Sequence, residues 1–494
     1  MQVKTYKDEF ESYLKDASNL VGYADRVFIP ETTDEIIEII SKANADRIPV
    51  TIAGARTGTV GGAVPFGGYV ISLERLNKLL ELDRKNKKAT VQSGLILKDF
   101  QRIVESEGLF YPPDPTEWSC QIGGNIATNA SGARSFKYGA TRPYVQRLKI
   151  VLADGSILDI ERGKIFSQNG IIELETSKGN VIRAKLPTYR QPMVRKNTSG
   201  YFTADKVDAV DIFIGSEGTL GLVVEAELKL IDKPEAFFSG IVFFKEETDL
   251  LACVNEARNL SFASRSGEID SIDATLLEYF DRQALRFIAK KFPEVPGKAC
   301  SALFFEQETT EKSEDKLLQM WLELFEKHNA LLEDSWFTTN EQDRDRMRHF
   351  RHALPVAVNE TIARYNQRKV GTDMAVPDEN FACLLRFYKL KLEESRLDYV
   401  IFGHIGDNHL HVNLLPKTEE EAVKARHVYG RFVAQAIMLG GTISAEHGIG
   451  KHKRKYLYMQ MGERYINEMV AFKKTFDPNA ILGRGNLFDT KFLD

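Results

Sequence analysis

Residues 52–65 read IAGARTGTVGGAVP. They follow the short apolar run VTI and place Gly54, Gly58, Gly61 and Gly62 just beyond a buried strand. Without a Cβ, such positions let backbone N–H groups turn inward and approach a pyrophosphate closely. No GK[ST] follows and the spacing is not GxGxxG, so neither a Walker loop nor a Rossmann nicotinamide site is indicated. Taken alone, a glycine-rich turn after a strand is more often only a turn. Two later segments change that balance. Residues 112–139, PPDPTEWSCQIGGNIATNASGARSFKYG, combine rigid prolines with Gly123, Gly124, Asn125, Thr128, Asn129 and Gly132, small or amide-bearing groups suited to wrapping a large polar cofactor. Residues 215–221, GSEGTLG, add a third close-approach loop.

Working outward, the elements around these loops predict mixed α and β structure. Residues 32–46 form a helix with Thr33 or Asp34 as cap and an isoleucine face. YVISL (69–73), KATVQSG (88–94), RLKIVLADGSILDI (147–160) and DIFIGSEGTLGLVVEAELKLI (211–231) read as β-like runs. Residues 160–200 read as an irregular, polar excursion. After Asp232-Lys233-Pro234 the pattern changes: GIVFF precedes a helix near 248–260, ACSALFFEQE precedes one near 311–328, and TDMAVP precedes one from 378. In the second of these, Leu317, Leu318, Trp321, Leu324 and Phe325 form one apolar stripe that packs on a sheet. A last helix, 454–475, carries Tyr456, Met459, Tyr465 and Met469 as core groups. The expected organisation is α+β in three parts: residues 1–235, 236–450 and 451–494, the last returning to the first.

At 494 residues the chain exceeds a single core. With 43% hydrophobic and 28% charged residues it reads as soluble and globular. A formal charge of −4 offers no general attraction to nucleic acid or anionic membrane, so an anionic ligand must be met by local groups. Cys120, Cys253, Cys300 and Cys383 lie far apart with no CxxC, so this chain supplies neither a zinc ribbon nor an iron–sulfur cluster. A reducing, cytoplasmic location fits, with peripheral membrane contact through a partner left open. The N-terminus lacks the apolar core of a signal peptide, and no run reaches transmembrane length.

The chemistry concentrates near the C-terminus. GHIGDNHLH (403–411) and AEHGIG (445–450) bring His404, His411, Glu446 and His447 together, with His409 and His452 nearby, in a chain of only nine histidines. Two imidazoles, a carboxylate and a spare histidine suit a catalytic divalent ion with an open position and a base beside it. Residues seven apart on a strand face opposite sides, so His404 and His411 meet only if the chain bends, which Gly406-Asp407-Asn408 permits. Beyond the bend His409, His411 and Asn413 share a face while Leu410, Val412 and Leu414 point to the core. Gly448 and Gly450 allow a turn that aims both Glu446 and His447 into one pocket. A lone histidine in a strand is usually only a hydrogen-bonded structural group.

Six segments, GARTGTVGGAVP, IGGNIATNASG, KYGATRPYVQRLKIVLADG, GSEGTLG, GHIGDNHLH and AEHGIG, carry a resemblance that runs from about residue 26 to 488. The chain resembles the FAD-linked D-2-hydroxy-acid dehydrogenase branch of the vanillyl-alcohol oxidase and p-cresol methylhydroxylase superfamily. That branch includes D-lactate dehydrogenases, D-2-hydroxyglutarate dehydrogenases and the glycolate oxidase catalytic subunit. The resemblance implies a two-part FAD-binding domain and a cap domain of antiparallel sheet plus helices. It implies that Gly54, Ala55, Arg56, Thr57 and Gly58 bind the pyrophosphate, and that Ser119, Gly123, Asn125, Thr128 and Glu217 complete the cofactor contacts. Arg56 stands where relatives usually have glycine. With no histidine between 50 and 70, the FAD is expected to be non-covalent. His404, His411 and Glu446 match the metal ligands, zinc suiting the set best with manganese, iron or cobalt as alternatives. His409 falls where relatives more often have asparagine and is left out. His447 matches the base and Arg351, in RHFRHALP, the carboxylate clamp, with Lys369 and Asn413 as further substrate contacts. The implied reaction oxidises a 2-hydroxy acid to the 2-oxo acid and passes electrons to an external acceptor: a quinone, a cytochrome, an electron-transfer flavoprotein or an iron–sulfur subunit. A homodimer is compatible. The competing readings are non-redox alkyl transfer of the ether-lipid synthase type and a flavin-binding subunit without catalysis.

Overall fold

A computed structural model describes residues 1–338 and 341–493. Its first sheet is the small one that launches the glycine loop. Helix Thr33–Ala45 buries Ile36, Ile39, Ile40 and Ala43, and the Thr32 hydroxyl caps it by accepting from the Glu35 N–H at 3.3 Å. The cap therefore lies one residue before the expected Thr33. The helix leads into strand Val50–Ala53, which runs parallel to Tyr69–Ser72, itself parallel to Arg26–Ile29; Gln2–Lys4 closes the edge antiparallel. The loop from Gly54 thus leaves the carboxyl end of a parallel strand, where ligand crevices of α/β sheets form.

A second sheet takes the strands Leu79–Asp83, Lys88–Gln92, Leu222–Lys229, Val145–Val151 and Ile157–Glu161 in that spatial order, all antiparallel. Two expectations fail beside it. DIFIG, read as strand, is the helix Ala209–Phe213, because the Asp208 carboxylate accepts the Val210 N–H at 2.9 Å and starts a turn; periodicity cannot separate a short buried helix from a buried strand. Residues 160–200 are not irregular throughout. Ile171–Glu175 and Val181–Lys185 form a hairpin with Glu173 opposite Arg183, and the chain beyond it carries Lys196 into the interior, 3% exposed.

The third sheet has seven strands, ordered Trp336–Phe337, Ala236–Phe244, Ser301–Thr309, Ala274–Asp281, Tyr399–Gly403, His411–Leu414, Val370–Gly371. Every residue of Ala274–Asp281 is buried, so both faces of the sheet are covered. Alternation assigns the faces. Leu277, Tyr279, Leu303 and Phe305 join the cluster containing Trp321 and Phe325 of helix Glu314–Lys327. Leu276, Phe280, Ala302 and Phe304 join Met347, Phe350 and Leu354 of helix Glu341–Arg364. Glu278 belongs by parity to the second face, toward Arg351. The final helix, Arg454–Phe476, is interrupted at Gly462 (φ 74°). Met469 lies in the core, whereas Met459 is half exposed and is not the core group expected. Beyond it the Val50 N–H donates to Ile481 O at 2.8 Å, and buried Lys473 donates to Thr219 O and Leu482 O, tying the C-terminus to the first sheet and the glycine loops.

Trp321 is fully buried, its ring 4.3 Å from Phe305 and 5.3 Å from Phe325, centroid to centroid. Trp321→Ala should cost about 3–5 kcal/mol of stability by opening a cavity, read as a lower urea midpoint at unchanged slope.

Candidate active site

The hairpin Tyr399–Gly403 and His411–Leu414 pairs Phe402 with His411. Its connection is a single 3-10 turn, Ile405–Asp407, ended by Asn408 in the left-handed region (φ 53°), so the bend that the sequence required is present. Gly403 is obligatory for a local reason: at φ 128° an added Cβ would come within 3.0 Å of the His411 ring. The turn stacks His404 beside His409 and His411, with ring centroids 4.5 to 5.6 Å apart.

Glu446 completes the group: one donor atom from each of His404, His409, His411 and Glu446 lies within 4.8 Å of the others. The tautomers follow from the partners. His404 Nδ1 faces the Glu278 carboxylate and His411 Nδ1 faces the Thr372 carbonyl at 3.1 Å, so both must donate there. Their Nε2 lone pairs are left toward Glu446 Oε2, at 3.2 and 3.7 Å. This is the carboxylate- or carbonyl-backed histidine arrangement typical of metal ligands. His409, set aside in the sequence, sits in the same cluster. It is fully buried with no aligned hydrogen bond at either nitrogen, Nδ1 being 3.8 Å from Glu446 Oε2 and Nε2 3.2 Å from Asp373 Oδ1.

The electrostatics favour a cation. Burial lowers the His409 pKa and drives that of His411 well down, which keeps both imidazoles neutral with lone pairs available. Burial opposes ionisation of Glu446, but His404, Lys196 and His409 outweigh it and hold the carboxyl well below its usual range. Burial also works against a proton on His404, yet Glu278 and Glu446 raise its pKa to about 9; a cation at Nε2 would take the place of that proton. A buried imidazole without a partner is costly unless something binds it, so the three histidines and Glu446 fit a divalent ion.

Beside this cluster lies a cavity of about 350 Å³ whose wall includes Gly54, Ala55, Arg56, Thr57, Gly58, Gly123, Asn125, Thr128 and Glu217. Ser119 is absent from that wall; its hydroxyl donates to Oε1 of Glu117, which does line it, at 2.6 Å. Arg56 adopts φ 61°, a left-handed conformation that glycine takes more readily than arginine. It is held there by a bond from Nη1 to Gly54 O at 3.3 Å and by its guanidinium stacked 4.4 Å from the Tyr13 ring. Gly123 approaches Ser93 so closely that a Cβ would sit 2.6 Å from that side chain. Four wall groups, Asp16 Oδ2, Ser93 Oγ, Gln121 Oε1 and Asn125 Nδ2, are buried without hydrogen-bond partners, as expected of a lining made for a polar cofactor. Burial pushes the Cys120 thiol, also on the wall, up to about 12, far from a nucleophilic thiolate. Glu217 lines the cavity and also braces it: its oxygens accept the Ile449 and Gly450 N–H groups at 2.6 and 2.7 Å, clamping the AEHGIG segment to the wall.

Glu446 and His447 line the same cavity, so the cation cluster and the cofactor-type pocket share a wall. The His447 ring is 39% exposed, with Nδ1 3.4 Å from Asp373 Oδ2. Asn413, on the strand face of His409 and His411, is buried with a partnerless Nδ2. Arg351 lines a second cavity of about 520 Å³, which meets the first at Thr116. Its Nε donates to Glu278 Oε2 at 3.0 Å, and Glu278 backs His404, so Arg351 reaches the cluster through one shared carboxylate. Lys369 stands exposed before the edge strand Val370–Gly371.

Sequence reasoning missed Glu278, Asp373 and Lys196. An acid in the middle of the largely apolar run ATLLEYF and an aspartate inside TDMAVP were the available signals for the first two. Lys196 had none, being concealed in a polar stretch.

Residues 24–161 match the family described as FAD binding domain, and residues 240–487 match FAD linked oxidases, C-terminal domain. The D-lactate dehydrogenase of Anaerostipes hadrus is 31% identical over 97% of this chain and 92% of its own length. The glycolate oxidase subunit GlcD of Bacillus subtilis is 31% identical over 94% of this chain and 89% of its own. Among solved structures, substrate-bound p-cresol methylhydroxylase superposes with a TM-score of 0.70 at 14% identity, covering 99% of this chain and 94% of that one, a likeness of fold. With two matched domains, full-length relatives and this architecture, the chain belongs to the FAD-linked oxidases.

Proposed function

We propose that this protein is an FAD-dependent dehydrogenase that oxidises a D-2-hydroxy acid to the 2-oxo acid with the aid of a divalent cation. The observation that carries the reading is the shared wall: Glu446, a member of the three-histidine cluster, and His447, whose ring lies 5.5 Å from that of His411, both line the cofactor-type cavity. The names of the full-length relatives, D-lactate dehydrogenase and glycolate oxidase subunit, support the substrate class. Bound FAD supplies the two-electron acceptor, and a cation held by His404, His409, His411 and Glu446 supplies a Lewis acid for the substrate's oxygens.

The protein's own groups then have defined tasks. Asp373 holds His447 by Nδ1, leaving Nε2 as the base that takes the hydroxyl proton while the C2 hydrogen departs with its electron pair. Asn413 Nδ2 offers a donor to a substrate oxygen. Arg351, fixed at Nε by Glu278, keeps its terminal nitrogens for a carboxylate. The histidine-free glycine loop and the raised Cys120 thiol support non-covalent FAD. The dispersed cysteines require the electrons to leave to an external acceptor. No helix among the described residues is long and apolar enough to cross a membrane.

Anaerobic mixing with a panel of D- and L-2-hydroxy acids should bleach the oxidised-flavin absorption band with at least one D-acid. Bleaching by none of them would overturn the reading.

His404→Ala or His411→Ala should abolish cation binding and turnover while the flavin stays bound, because the ligands and the cofactor loops lie on separate segments. Elemental analysis and the visible spectrum of each variant check this; full activity in fully demetallated wild type would refute the cation's role.

Arg351→Lys should lower kcat/KM roughly tenfold to a hundredfold, since a charge-assisted hydrogen bond contributes about 1.5–3 kcal/mol and lysine cannot reproduce a bidentate contact. Comparing the best acid with its uncharged amide locates the effect. A variant that discriminates acid from amide as well as wild type would reduce Arg351 to a brace for Glu278.

A further inference from the structure

Glu446 has two oxygens, and their surroundings differ. Oε2 faces the histidines, with His404 Nε2 at 3.2 Å, His411 Nε2 at 3.7 Å and His409 Nδ1 at 3.8 Å. Oε1 accepts from Lys196 Nζ at 2.7 Å and from Ser131 Oγ at 2.9 Å. Lys196 is almost wholly buried; it also donates to Gly132 O at 2.8 Å and forms an ion pair with Asp407 Oδ2 at 3.0 Å. An ammonium enclosed by these partners, and not on the cavity wall, is not presented to a substrate. Its work is done on Glu446.

We infer that Lys196, with Ser131, is a positioning residue that occupies Oε1 of Glu446 so that this carboxylate offers the cation only Oε2. This rests on the cation reading above. The arrangement has a topological consequence. The histidines and Glu446 all come from the C-terminal half, whereas Lys196 and Ser131 come from the N-terminal half, Ser131 lying in the IGGNIATNASG loop whose Gly123, Asn125 and Thr128 line the cofactor cavity. The orientation of the ligand carboxylate is therefore set across the seam between the two halves. Freed from Lys196 and Ser131, Glu446 could turn both oxygens toward the ion, changing its coordination and leaving Asp407 without its buried partner.

The test uses FAD-loaded protein and Co²⁺ as the probe, in wild type, Lys196→Met and Ser131→Ala. Removing a group that orients a metal ligand costs about tenfold to a hundredfold in affinity, so the Co²⁺ dissociation constant of Lys196→Met should rise by that factor. Loss of one hydrogen bond to the ionised carboxylate predicts a rise of about tenfold in Ser131→Ala. In both, the visible absorption of bound Co²⁺ should change shape, which a merely structural role would not produce. Should Lys196→Met fail to fold, Ser131→Ala, which removes a single hydroxyl, decides the matter. Wild-type affinity and a superimposable Co²⁺ spectrum in the folded variants overturn the inference while leaving the cation reading intact; failure of wild type to bind Co²⁺ at all overturns the cation reading itself.

Discussion

Asp373 is the buried carboxylate from which the reactive segment is suspended. One oxygen accepts the Glu446 N–H at 3.1 Å; the other accepts the His447 N–H at 3.0 Å, the Ser444 hydroxyl at 2.8 Å and the Lys453 ammonium at 2.6 Å. Burial alone would favour its protonated form, but His447 and Lys453 outweigh that and keep it ionised. Adjacent residues in an extended chain diverge, so Glu446 and His447 can flank one pocket only if their backbone is bent and held. Gly448 and Gly450, both at positive φ, allow the bend, and Asp373 holds it. The same carboxylate stands 3.4 Å from His447 Nδ1, so a single group sets the backbone, the ring orientation and the free nitrogen of His447.

The second support comes from the other half of the chain. Glu217, itself at φ 54°, presents both oxygens to the N–H groups of Ile449 and Gly450. Gly450 packs so tightly on the Val60 carbonyl that a Cβ there would lie 2.2 Å from the oxygen. The glycine loop that lines the first cavity is thus in direct contact with the segment that carries Glu446 and His447. A displacement of either would be felt by the other, because close-packed elements transmit shifts rather than absorb them. The site is accordingly a property of the docked halves.

Legibility in the sequence followed the range of the interactions. The cavity loops were readable because three glycine-rich segments occur together, where one alone is more often only a turn, and the bend between His404 and His411 because period-two alternation leaves no alternative. Even the anomaly at Arg56 was visible, though its cause, a left-handed backbone steadied by Tyr13, was not. What failed was non-local or ambiguous. DIFIG is equally apolar as strand or helix, and only the Asp208 cap decides. His409 was discounted on a family pattern, yet alternation already placed it on the face of His411. Lys196 lies 250 residues from its partner Glu446, and no local pattern marks a lysine that will be buried.

The charge arrangement explains why such a costly interior persists. Ionised carboxylates are expensive to bury unless each is matched. Here Glu278 has Arg351, Asp373 has Lys453, and Asp407 has Lys196. Glu446 shares Lys196 with Asp407 and keeps one oxygen among three imidazoles, two of which burial holds neutral. The matched carboxylates therefore serve as fixed supports, each bonded to a histidine, a backbone segment or a lysine, while Glu446 Oε2 stands within 3.8 Å of nitrogens from all three clustered histidines. A hydroxy acid brings a further negative charge to this place. It can be accommodated only if positive charge meets it, and the groups positioned to supply that charge are a cation at the cluster and the terminal nitrogens of Arg351, whose Nε is already engaged by Glu278. The same electrostatic arrangement disfavours a neutral alcohol, for which the cationic groups would remain incompletely matched.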